Sequence, residues 1–160
     1  MKIVQPNRVT RTYTQHLMAP MEAVFPLLCP VREADWIPGW DPSLVVSSCG
    51  VAELDCVFVT ASAQGADAIW TVTRHEPHAG FVEMLKVTPE VTVCKLTIQL
   101  HPTAGGCKAD VTYAHTSLGP RGDELVASFT EDHYRRFMQE WEAQLNHYVR
   151  HGTALPAQGG

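Results

Sequence analysis

Near the start of the chain "VTRTYTQ" is rich in threonine and aromatics, which predicts a first strand over Val4 to Gln15. The segment "APMEAVFPLLCPVREADW" changes period. Ala23, Val24, Leu27 and Leu28 fall on one helical face, while Pro26 and Pro30 interrupt it, so two short helices are expected in place of one long one. From Ser43 to Ser117 come six strand-like runs, "LVVSSC", "CVFVTAS", "DAIWTVTRH", "GFVEMLKVT", "VTVCKLTIQL" and "KADVTYAHTS". The turns between them are short enough for an antiparallel meander, which with the first strand makes seven. The period then returns to helical. "LVASFTEDHYRRFMQEWEAQLNHYVRHG" contains no proline, and no glycine before Gly152, so one long helix is expected, with acidic residues at its start, Arg150 and His151 at its end, and Gly152 as its stop.

This last helix carries a stripe of Val126, Phe129, His133, Phe137, Trp141, Leu145 and Tyr148 or Val149. A wide aromatic face must be covered, and only the sheet is large enough to cover it. The implied architecture is α+β: a curved antiparallel sheet around one long C-terminal helix, with the helix pair inserted after strand 1. Residues 1–152 would form one domain and 153–160 a loose tail.

Strand alternation says which side chains face the helix. Cys94, Leu96, Ile98 and Leu100 share one face, as do Val111, Tyr113 and His115, and Trp70 with Val72. In "FVEMLKV" both faces carry apolar residues, so its inward side stays open.

Composition adds little that is unusual. With 160 residues, 45% hydrophobic, 18% charged and a net charge of −5, the chain suits one globular core and has no basic stripe for nucleic acid. No apolar run is long enough to span a bilayer and the N-terminus lacks a secretory pattern, so a cytoplasmic location is expected. Five cysteines, odd in number and without a Cys-x-x-Cys, suit reduced thiols, although Cys49 and Cys56 could face each other across a hairpin.

Strand, helix pair, six strands and a long C-terminal helix together resemble the helix-grip fold of the START-like superfamily, also called SRPBCC, with its polyketide cyclases, lipid-transfer domains and coenzyme Q-binding proteins. The likeness runs from Val4 to about His151. It is carried by "VFPLLCPVREADWIPGW", "IWTVTRHEP", "VTYAHTSL" and "TEDHYRRFMQEWEAQLNHYVRHG", which look like a bacterial group with no assigned reaction. The resemblance implies a cavity between the concave sheet and the last helix, closed at one end by the helix pair.

On that basis the expected ligand-contacting residues are Trp36, Trp70, Leu96, Ile98, Tyr113, His115, Phe129, His133, Phe137 and Trp141. Tyr113, His115 and His133 are the candidates for acid–base chemistry beside a bound carbonyl compound. Within "CPVREADWIPGWDP", Trp36 is expected at the cavity entrance and Trp40 as the anchor of the corner turned at Pro38-Gly39. Arg32, Glu33 and Asp35 read as a solvated turn, or else as a charge at the cavity mouth.

His147 and His151 have the spacing of two metal ligands but lack an evident third, so neither a metal nor another cofactor is expected. No nucleophile elbow, phosphate-binding loop or His-Glu-x-x-His motif occurs. Three functions compete: binding or carriage of a hydrophobic small molecule (a lipid, a polyketide-like aromatic or an isoprenoid), an aromatase/cyclase or dehydratase using the cavity His and Tyr, and an interaction module whose cavity its own side chains fill. A cavity smaller than about 300 Å³ would favour the last.

Overall fold

A computed structural model describes residues 1–63 and 65–156. Strand β1 (Arg8–Leu17) leads into helix α1 (Met21–Val24), a 3₁₀ turn (Phe25–Leu27) and a second 3₁₀ turn (Arg32–Asp35). Strands β2 (Leu44–Val46), β3 (Val57–Thr60), β4 (Ala68–Glu76), β5 (Phe81–Thr88), β6 (Thr92–Thr103) and β7 (Gly106–Ser117) follow, then helices α2 (Pro120–Ser128) and α3 (Glu131–His151). All seven strands form one antiparallel sheet in the order β1-β7-β6-β5-β4-β3-β2. The α+β helix-grip arrangement is therefore present. Residues 157–160 of the expected loose tail lie outside the described residues.

The register explains how the concave face is assembled. Lateral neighbours Met84, Leu96 and Tyr113 lie in one row across β5, β6 and β7. The adjacent row runs Phe58, Trp70, Lys86, Cys94 and His115 across five strands. The expected inward faces of β4, β6 and β7 are the ones observed, and β5, left open by its pattern, turns Val82 and Met84 into the core. A register shift between Val72 and Arg74 marks a bulge in β4, which adds local bend to the sheet.

The long C-terminal helix is present as α3, and only its expected start is corrected by the structure. The run from Leu125 is divided at Phe129 and Thr130: Phe129 ends α2, and the Thr130 side chain accepts a hydrogen bond from the backbone N–H of His133 to cap α3. Glu131 and Asp132 then sit in the first turn of α3, where the helix dipole favours negative charge. Gly152 closes α3 in the left-handed region at φ 70°, as expected. In α2, Gly122 permits close approach to the sheet, since a Cβ there would stand 2.0 Å from the Val91 carbonyl oxygen.

Because the break shifts the register, the buried face of α3 is Tyr134, Met138, Trp141 and Leu145, one position round from the expected stripe for its first two members. Helix α3 also covers the edge of β1. The Gln15 amide donates to the Met138 carbonyl, the His16 N–H donates to Glu142, and Asn146 accepts from the Met18 N–H while donating to the His16 carbonyl. Edge groups that would otherwise offer a template for another strand are thereby satisfied.

Candidate functional site

Between the concave sheet and α3 lies a cavity of about 220 Å³. Its floor takes one side chain from each strand of the meander beyond β2: Phe58, Trp70, Met84, Leu96 and Tyr113. Its roof is Phe137, Glu140, Trp141 and Gln144 of α3, and its end wall is Glu33 with Ile37, Pro38 and Trp40.

The rings are held by one another and by their polar tips. Phe58 stacks on Trp70 at 5.2 Å between centroids, and Trp40 meets Phe58 edge-on. The Trp70 indole N–H donates to Thr60 Oγ1 at 3.0 Å, and that of Trp40 to the Pro30 carbonyl at 2.7 Å. These bonds leave the apolar bodies of both indoles free to form the wall. Phe137, more than a third exposed, sits at the mouth and meets Tyr113 edge-on.

Two polar groups converge inside. Glu33 is buried, and among the described residues no hydrogen bond or ion pair engages its carboxyl; burial alone pushes its pKa up to about 8. The Tyr113 phenol is raised well above its ordinary value, first by burial and then by the negative charges that Cys94, Tyr134 and Glu33 would carry. A carboxyl that stays protonated at neutral pH can donate a hydrogen bond, and one titrating near pH 8 can exchange a proton under mild conditions.

The solvated-turn reading of "READ" is thus overturned for one residue. The 3₁₀ turn puts Arg32 and Asp35, three apart, on the same outer side, where they pair at 2.8 Å, and turns Glu33 the other way into the protein. Trp36 and Trp40 also exchange their expected places. Trp36 is fully buried behind the cavity, donating to the Leu27 carbonyl at 3.0 Å and packing on Trp141 at 5.1 Å, whereas Trp40 forms the wall.

Of the expected contact residues, Trp70, Leu96, Tyr113, Phe137 and Trp141 border the cavity together. Ile98 is buried further along β6 and does not border it. His115 and Phe129 pack edge-on at 4.5 Å in a neighbouring part of the core. The His115 Nδ1 is buried with no hydrogen-bond partner among the described residues, and burial, reinforced by the Lys86 charge, lowers its pKa to about 4. It is neutral at pH 7. Of the expected trio, Tyr113 and His115 meet, their rings stacked at 6.1 Å, whereas His133 is exposed on α3 and reaches only Phe129 at 5.9 Å: Tyr134 takes the inward place on the helix.

Lys86 was not singled out by its sequence context. It lies in the row between Trp70 and Cys94, its Nζ 4.9 Å from the Trp70 ring centroid, and burial lowers its pKa. Burial likewise pushes the Cys94 thiol up to about 12. All five cysteines are free thiols, Cys49 exposed and Cys56 buried. The His147 and His151 rings lie 4.5 Å apart, and no group of three metal-ligating side chains occurs among the described residues. No helix among the described residues is long and apolar enough to cross a membrane.

No protein-family model matches the chain, and no curated protein matches it. Solved structures do. An uncharacterised protein from Rhizobium leguminosarum is 15% identical, with 93% of this chain and 99% of that chain covered and a TM-score of 0.62. Norcoclaurine synthase from Thalictrum flavum, solved in complex with dopamine and hydroxybenzaldehyde, is 10% identical, with 94% and 98% covered and a TM-score of 0.65. Ara h 8.0201 is 14% identical, with 90% and 99% covered and a TM-score of 0.61. At such identities the likeness establishes the helix-grip fold shared by START-like proteins.

Proposed function

We propose that this helix-grip chain binds a small, largely apolar molecule in the cavity between sheet and α3, oriented by the Glu33 carboxyl and the Tyr113 phenol. The observation that carries this reading is an apolar chamber with two convergent polar groups that have no hydrogen-bond partner among the described residues. Its size limits the ligand. A volume of about 220 Å³ is below the range of ordinary ligand pockets, roughly 300–1,000 Å³. It is nevertheless larger than an apolar cavity of about 150 Å³ that can hold benzene. One substituted ring therefore suits the chamber, and a long lipid or fused polyketide does not. A protein of this fold captured in complex with dopamine and hydroxybenzaldehyde supports small ring-bearing molecules as the ligand class.

A second reading, acid–base catalysis on such a ligand, is favoured by Glu33. A buried carboxyl titrating near pH 8 inside a cavity is a functional-site signature. The histidines supply less: one is exposed and the other is held neutral outside the cavity. By size alone, a cavity of about 220 Å³, below about 300 Å³, favours the self-filled interaction module, and it is the unpartnered Glu33 carboxyl inside it that favours a ligand.

Calorimetric titration with benzyl alcohol separates these readings. Saturable one-to-one binding that disappears in Leu96→Trp, a variant checked by circular dichroism for retained fold, is the expected result. No saturable binding by the unmodified protein, or binding indifferent to Leu96→Trp, would overturn the proposal in favour of the self-filled module.

A further inference from the structure

The chemistry of the cavity wall is unequal in sign. Glu33 closes one end and Glu140 stands at the mouth, while among the described residues no Lys, Arg or His borders the space. Around the two carboxyls lie the rings of Trp40, Phe58, Trp70 and Trp141. Trp70 already carries Phe58 stacked on it and the Lys86 ammonium over its ring, so Trp40, Phe58 and Trp141 are the rings that a ligand cation would meet. Aromatic faces attract cations through their quadrupoles, more strongly when water is excluded, and a carboxylate among them supplies a counter-ion. A ligand anion would meet the Glu140 carboxylate at the mouth, and at the end wall it would find a donor in Glu33 only while that carboxyl keeps its proton, which it loses above about pH 8.

The decisive group is Glu33, nine-tenths buried yet without a hydrogen-bond or ion-pair partner among the described residues. Buried carboxyls are ordinarily paired or hydrogen-bonded, so this one lacks a complement that a ligand can supply. We propose that the cavity selects a single-ring organic cation, an arylalkylamine in its ammonium form, with Glu33 as its counter-ion and the surrounding indole and phenyl rings as its cage. The proposal rests on the cavity being a small-molecule site.

Its proton balance follows from the geometry. The ammonium group enters carrying its proton; the Glu33 carboxyl, protonated in the empty cavity, releases its own proton to solvent; an N–H⁺···⁻O–C pair forms. The groups that face Glu33 do not supply this charge. Tyr113 from β7 is a neutral phenol, Glu140 from α3 is itself acidic and is approached by the Gln144 amide at 3.4 Å, and β3, β4, β5 and β6 give the wall only uncharged side chains. On its own turn, Arg32 and Asp35 pair with each other outside. Lys86 is outside the wall, over the Trp70 ring.

Since burial holds the empty carboxyl near pKa 8, ammonium binding below that pH releases close to one proton and its affinity rises about tenfold per pH unit, flattening above pH 8. The test is calorimetry with benzylamine, benzyl alcohol and benzoate at pH 6, 7 and 8, on the unmodified protein and on Glu33→Gln. Benzylamine should bind at least tenfold more tightly than benzyl alcohol at pH 8, and benzoate more weakly than either. Glu33→Gln should abolish the pH dependence of benzylamine binding and bring its affinity to within about threefold of benzyl alcohol's for the same variant.

Buffers of different ionisation enthalpy give an independent readout in the unmodified protein, where benzylamine should release close to one proton at pH 7. Benzylamine no tighter than benzyl alcohol, or bound without pH dependence or proton release, overturns this inference while leaving the cavity reading intact. If none of the three probes binds, the cavity reading falls and takes the inference with it.

Discussion

Glu33 shows how one side chain departs from its neighbours. Three of the four residues in "READ" are charged, which in sequence reads as a wet turn, yet the pitch of a 3₁₀ turn separates the outward pair from the inward carboxyl. Its titration links to stability with a definite sign. The folded chain holds this proton up to about pH 8, and the unfolded chain loses it near 4.5. Between those values folding takes up a proton, so stability falls as pH rises, by about 1.4 kcal/mol per unit for this group alone. Glu33→Gln should therefore lose less stability than the unmodified protein between pH 5 and 8 in urea denaturation; parallel curves would contradict the burial of the group. The two indoles of the same segment also carry separable expectations. Trp36→Ala, at a fully buried site, should cost about 3–5 kcal/mol. Trp40→Ala should cost less and weaken benzyl alcohol binding more, as paired denaturation and calorimetry would show. The sequence marked both rings as too large to leave in water, but which indole faced the cavity depended on tertiary contacts with Leu27, Pro30 and Trp141, which no local pattern encodes.

At the level of elements, the alternation in β4, β6 and β7 was legible because each has one apolar face, and β5 was not because its pattern is apolar on both. The break before α3 had a written signal, Thr130 followed by Glu131 and Asp132, inside a run without proline or glycine. One continuous helix across that signal puts His133 on the inner face, where the capped helix puts Tyr134. Thr130→Ala should lower stability by about 1 kcal/mol in denaturant melts through loss of the cap. Asn146 joins α3 to the edge of β1 by one accepted and one donated bond. Asn146→Ala, which leaves both strand groups without that partner, should cost about 1–3 kcal/mol and speed amide exchange at Met18; unchanged exchange there would mean that α3 does not protect the edge.

The molecule as a whole turns a meander into a container because the rows of inward side chains meet α3 on one side and the Ile37–Trp40 corner at one end. The fold was readable from element order. The cavity's polarity was not, since Glu33 and Tyr113, eighty residues apart, meet only through the curl of the sheet. The central claim, that this chamber takes up a single-ring molecule, is tested most directly by following the four tryptophan indole N–H resonances during titration with benzyl alcohol. The account predicts saturable shifts at Trp40, Trp70 and Trp141, which border the chamber, with a smaller change at Trp36 behind it. Four unmoved resonances at saturating probe, or shifts confined to Trp36, would contradict it.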